Sequence, residues 1–104
     1  MDAFGNWAVR WAEDHGGLWS AQENLGRLAE EVGEVARHVN ARSGRKRLAP
    51  DAEPIEGEIG DALFVLALLA HQLGTSLEAA ADAALRKQAR RGEQQDGGAD
   101  DAGR

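Results

Sequence analysis

The chain has 104 residues, 42% hydrophobic and 29% charged, which suits one small folded domain rather than a disordered segment. Its formal charge of −6 argues against nonspecific binding to nucleic acid or to an anionic membrane. Cysteine is absent, which excludes a disulfide framework, a thiol nucleophile and cysteine-ligated zinc.

The opening stretch MDAFGNWAVRWAEDHGG is acidic and amphipathic, without the basic and apolar regions of a signal peptide. Phe4, Trp7, Ala8 and Trp11 fall on one side of a short helix predicted over 3–14, which HGG at 15–17 stops. Trp7 and Trp11, four apart, read as core or interface packing. In SAQE, Ser20 occupies the N-cap place and Glu23 the N3 place, a capping box in sequence form. Leu25, Leu28, Val32, Val35 and Val39 then recur at steps of three and four, the pattern of an amphipathic helix ending near residue 42.

SGRKRLAPDAEP at 43–54 is a loop by its Gly, Pro and Asp content, with Arg45, Lys46 and Arg47 as solvated charge. A third helix is predicted from Ile55 to Leu73, with Gly74 as its C′ residue. Its stretch ALFVLALLA at 62–70 is apolar on every side, so the helix should be enclosed on several faces. In so small a chain, a second subunit is the expected source of part of that enclosure. The run falls short of the roughly 20 residues that span a bilayer, so no membrane partner is expected and the cytoplasm is the expected location.

TSLE at 75–78 offers another capping box, opening a helix to about Arg91. Residues 92–104 have no periodicity and no large apolar side chain. They read as a disordered acidic tail, with Glu93, Asp96, Asp100 and Asp101 against Arg104, following a helical domain over 1–91. The expected architecture is all-α, a four-helix bundle with helices shared across an oligomer interface.

Two carboxylate pairs stand out. Glu31 and Glu34 are three apart on the second helix, and Glu58 and Asp61 are three apart at the front of the third. Such pairs share a helix face, with Cβ atoms about 5–6 Å apart. Two antiparallel helices carrying them at matching heights would present four carboxylates to one volume. Mg²⁺ takes oxygen ligands at about 2.0–2.1 Å and is commonly shared with substrate phosphates, so an acidic chain still binds a polyanion through it. Glu31 lies about 60–80° from the centre of the apolar stripe, on its shoulder, with Glu30 and Glu34 further out.

The same acids also suit solvated faces. Glu56 and Glu58 gain from the helix dipole in a first turn. Glu34 has Arg37 and His38 within reach, and Arg27 has Glu31. Asp61 weighs the other way, because an unpaired charge beside an apolar run is expensive.

EEVGE at 30–34 and EIGD at 58–61 resemble the EExxE…ExxD signature of the MazG-like all-α NTP pyrophosphohydrolases. NLGRLAEEVGEVARHV, GEIGDALFVLALLAHQLG, SLEAA and KQARR follow in that family's order and approximate spacing, over about residues 20–91. The resemblance implies a MazG-like bundle and a Mg²⁺-dependent hydrolase, with Mn²⁺ as a substitute metal. Such an enzyme cleaves NTP or dNTP between the α and β phosphates to a nucleoside monophosphate and pyrophosphate, as nucleotide-pool house-cleaning.

It further implies Glu31, Glu34, Glu58 and Asp61 as metal ligands, and Glu30 as the base that orients or deprotonates the attacking water. Nucleotide contacts are implied for Lys87 and Arg91, in a segment where relatives carry K-N-x-x-R and this chain has the longer Gln88 in place of Asn. Arg86, Lys87, Arg90 and Arg91 equally suit a helix C-terminus. In relatives the segment before the first metal helix helps form the base pocket, which puts Trp19 either against a base or in a packing role. Stacking on a base is worth roughly 1–3 kcal/mol.

Relatives form dimers or tetramers, so a homodimer or homotetramer is implied. Phosphoribosyl-ATP pyrophosphohydrolase shares the fold and reaction type and is one alternative; a non-catalytic helical oligomerisation module is another. His15, His38 and His71 form no Glu-x-x-His pair, which separates the chain from the di-iron carboxylate bundles.

Overall fold

The computed structural model describes residues 2–44 and 47–99, the last five of them as backbone alone. Four helices follow in order: α1 (Ala3–Asp14), α2 (Ala21–Arg42), α3 (Ile55–Gln72) and α4 (Leu77–Ala99), with no strand among the described residues. The all-α expectation holds.

Local chemistry explains where each helix starts and stops. Asp2 opens two of them: Oδ1 accepts from the Gly5 N–H at 3.0 Å, and Oδ2 accepts from the Leu77 N–H at 2.9 Å. The first bond caps α1, and the second satisfies a free donor at the head of α4. A Cβ at position 5 would collide with the Asp2 carboxylate and push it out of its capping position. At α2 the predicted capping box forms. Ser20 Oγ accepts from the Glu23 N–H at 3.1 Å, and Glu23 Oε1 accepts from the Ser20 N–H at 2.9 Å.

The end of α3 is a Schellman turn. Gly74, at φ +80°, donates to the His71 carbonyl, and the Thr75 N–H reaches back to the Ala70 carbonyl at 2.8 Å. That turn uses up Thr75. The cap of α4 is therefore Ser76, whose Oγ accepts from the Ala79 N–H at 3.1 Å, one residue later than TSLE suggests. The helix then continues past Arg91, where the sequence places its end, to Ala99. A single internal glycine such as Gly92 weakens a helix by about 1 kcal/mol without terminating it. Residues 100–104 of the expected acidic tail lie outside the described residues.

Helix α3 is the centre of the molecule, with α1 and α2 packed on it. The α1–α3 contact is made by Ala8, Ala12, Ala67 and Leu68, flanked by Val9, Leu18, Phe64 and Leu77. Three alanines let the two backbones approach closely. Helix α2 runs antiparallel to α3: Asn24 bonds Gln72 at one end, and His38 meets Glu58 towards the other.

Its orientation departs from the sequence pattern. Leu28 and Val35 are half-buried, but Leu25, Val32 and Val39 are 61%, 55% and 59% exposed. The residues turned towards α3 are Asn24, Glu31 and His38. The helix is thus rotated roughly 60° away from its apolar stripe.

The run at 62–70 is likewise only partly covered. Val65, Ala67, Leu68 and Leu69 are buried, while Leu63 and Leu66 join Ile59 and Leu73 on an exposed face. Helix α4 leaves α3 at 98° and is exposed from 78 to 91. The radius of gyration, 17.8 Å, exceeds the roughly 13 Å of a compact chain of this length. No single helix is long and apolar enough to cross a membrane.

Candidate metal centre and the cavities beside it

Because α2 is rotated, Glu31 points at α3 rather than lying on the stripe's shoulder. There it meets Glu58 and Asp61, and one carboxylate oxygen from each residue lies within 4.8 Å of the other two. Glu31 and Asp61 are half-buried, and Glu58 is 8% exposed. Three negative groups thus share one partly dry volume.

The electrostatics record the strain. The Glu31 carboxyl is pushed above its ordinary 4.5, first by burial and then by the Asp61 charge, with the Arg27 guanidinium opposing. Glu58 is also raised, by burial and then by Glu53 and Glu34, with His38 opposing. His38 is itself buried, with Nε2 3.8 Å from Glu58 Oε2 and no hydrogen-bond partner. A cation between the three carboxylates would offset the cost of their burial and relieve the repulsion. Oxygens on one Mg²⁺ at about 2.0–2.1 Å stand no more than about 4.2 Å apart, so a small inward movement closes the set. The donor set fits a hard divalent ion.

Two cavities flank the carboxylates. Towards the start of α2 is an aromatic one of about 310 Å³, walled by Trp11, His15, Trp19 and Phe64, with Asn24 and Arg27 also lining it. Trp11 and Phe64 meet edge to face at 5.8 Å, and His15 stacks on Trp11 at 3.9 Å. The Trp19 backbone is fixed by an amide network. Its carbonyl accepts from Asn24 Nδ2 at 3.5 Å and from Gln72 Nε2 at 2.5 Å, and Asn24 Nδ2 also donates to Gln72 Oε1 at 3.0 Å. Towards the loop is a second cavity of about 280 Å³, lined by Glu34, Arg37, His38, Arg47, Glu53 and Glu58 among others.

Three of the four expected metal ligands therefore converge, and Glu34 stands apart. Its Oε1 lies 3.3 Å from the Arg37 guanidinium, while its charge is still felt at Glu58. Glu30 is exposed on the outer side of α2. Trp19 is exposed and stands on the aromatic cavity. Lys87, Gln88 and Arg91 are exposed on α4 and line neither flanking cavity. Trp7 and Trp11 pack edge to face on Phe64 yet stay exposed, which leaves interface packing open to them. Arg45 and Lys46 lie outside the described residues.

Some participants were not singled out from sequence. Asn24 and Gln72 gave only a weak sign, two amides at the ends of otherwise apolar stretches. Arg27 forms no ion pair with Glu31. Its guanidinium carbon lies 5.4 Å from the centroid of a Trp19 ring and 5.6 Å from that of Phe64.

Comparison with known proteins identifies the family. The profile of the MazG nucleotide pyrophosphohydrolase domain matches residues 20–95. Uncharacterized protein YpjD of Bacillus subtilis (strain 168) is 47% identical over 73 residues, which is 68% of this chain and 66% of that protein. The crystal structure of Bacillus subtilis YpjD superposes with a TM-score of 0.69 at 39% identity, covering 82% of this chain and 90% of the other. The crystal structure of the Bacillus-conserved MazG protein, a nucleotide pyrophosphohydrolase, gives 0.67 at 32% identity, covering 82% and 84%. A profile match across most of the chain, on a fold shared with these crystal structures, assigns this protein to the MazG family of nucleotide pyrophosphohydrolases.

Proposed function

We propose that the protein hydrolyses a nucleoside triphosphate between its α and β phosphates, releasing the monophosphate and pyrophosphate, with Mg²⁺ or Mn²⁺ as cofactor. The observation that carries this is the convergence of Glu31, Glu58 and Asp61 from two helices beside a cavity walled by aromatic rings. A divalent ion held there neutralises charge that develops on the phosphate oxygens and lowers the pKa of attacking water.

The chain's own residues have distinct tasks in this scheme. Glu31, Glu58 and Asp61 would hold the ion, with Glu34 as a fourth ligand in place of its pairing with Arg37. Glu30, next in sequence to Glu31, accepts the proton of the attacking water at a carboxylate oxygen. Trp19, its backbone clamped by Asn24 and Gln72, offers a face to the base and keeps water away from it. Lys87, Gln88 and Arg91 contact the nucleotide from a second subunit. Their helix extends away from its own chain, and α2 and α3 leave apolar faces uncovered. The working unit is thus a homodimer or homotetramer, acting in the cytoplasm on the nucleotide pool.

The test is a panel of ribo- and deoxyribonucleoside triphosphates, damaged nucleotides and phosphoribosyl-ATP, assayed for pyrophosphate with and without Mg²⁺. We expect Mg²⁺-dependent release from at least one triphosphate. Asp61→Asn should lower kcat by at least the roughly 10–100-fold that outer-shell changes cost metal enzymes. Cleavage of phosphoribosyl-ATP alone would reassign the substrate, and no release from any member would overturn the proposal.

A further inference from the structure

Arg27 lies one turn before Glu31 on α2, the usual spacing for an exposed ion pair, yet the pair does not form. Its guanidinium lies within cation–π range of Trp19 and Phe64, and no carboxylate among the described residues is within ion-pair distance of it. The side chain is half-buried.

Arg27, Trp11 and Phe64 are also common to two hollows. One is the aromatic cavity, and the other is a groove that Asp61 enters together with Trp7. A cation with unused donors thus stands on the border between a slot suited to a flat ring and the carboxylates that suit a metal. A guanidinium fork matches the oxygens of a phosphate, and two ring faces remove part of its hydration without neutralising it.

A nucleotide with its base among the rings and its phosphates at the carboxylates must carry its first phosphate past this residue. We propose that Arg27 is a nucleotide-binding residue that donates to the α-phosphate of the substrate and of the monophosphate product. The assignment rests on the triphosphate scheme above and adds a phosphate contact at the border between base and metal.

The experiment titrates the full chain, in Mg²⁺, with 5′-monophosphates of the common ribo- and deoxyribonucleosides and with the matching nucleosides, following tryptophan fluorescence. Arg27→Gln should weaken monophosphate binding about tenfold or more while leaving nucleoside binding within about twofold. Arg27→Lys, which keeps the charge and loses the fork, should fall between. Circular dichroism confirms that each variant is folded; should Arg27→Gln fail that check, Arg27→Lys alone decides by the same comparison.

Equal weakening of nucleoside and monophosphate would make Arg27 a brace for the aromatic wall and overturn the assignment. So would wild-type binding by the variants of an enzyme whose parent releases pyrophosphate. A parent that neither releases pyrophosphate nor binds any monophosphate would overturn the assignment and the triphosphate scheme together.

Discussion

Glu31 and Glu58 hold protons more tightly in the folded chain than in the unfolded one, since both are raised above 4.5. The stability they contribute is therefore complete below about pH 4.5 and is lost as pH rises through their raised values. Without metal, Tm should carry a component that falls as pH climbs from about 4.5 towards 7. Saturating Mg²⁺ should raise Tm at pH 7 and do little below about 4.5, where Glu31 and Glu58 are protonated. Replacing both residues with Gln should flatten the metal-free profile; an unchanged slope by differential scanning fluorimetry would show that these two groups do not cause it. At this scale Glu58 and Asp61 were legible as a pair from their three-residue spacing, whereas Glu34, equally spaced from Glu31, turns to Arg37 instead. The swing of Arg27 was not legible. Glu31 and the two rings are both within its reach, and the ring pair is assembled only by the fold.

The boundaries of α1, α2 and α3 were well read, unlike the end of α4, and the reason is local. Ser20 with Glu23, and Gly74 beyond α3, satisfy backbone groups within a few residues of themselves. The start of α4 was misplaced by one residue because the Schellman turn had already used Thr75. Asp2 carried no such signal, since half its role lies 75 residues away at Leu77. Asp2→Ala removes bonds at two helix starts at once and should cost about 1–2 kcal/mol by urea denaturation. Asp2→Asn keeps one acceptor oxygen and should lose less; equal stability of all three proteins would show that the bonds contribute nothing. The facing of α2 was misread for a different reason. An apolar stripe states which residues avoid water, and Leu25, Val32 and Val39 have no cover within this chain.

Those residues, with Ile59, Leu63 and Leu66 on α3, Leu73 just beyond its end and Leu85 on α4, leave a single copy with a large uncovered apolar surface. A helix exposed along most of its length gains little from packing, which is where most helical stability in proteins arises. We expect light scattering at micromolar concentration to give a mass at least twice the 11.1 kDa of one chain. Leu66→Asp should shift that mass towards one chain and lower activity with Asp61 and Glu58 intact. A monomeric parent with full activity would contradict both the assembly and the contribution of α4 across it. Sequence pattern revealed how much surface is apolar, but covering it is a property of the assembled molecule.

The small-residue seam between α1 and α3 has a consequence for selectivity. Ala8, Ala12 and Ala67 act as shims: their thickness fixes how far Trp11, on one helix, stands from Phe64, on the other. The bore of the aromatic slot is therefore gauged in part by the methyl groups of Ala8 and Ala67, which do not line it. Tolerance for larger or smaller rings would then drift through changes hidden behind the slot, with its visible lining unaltered.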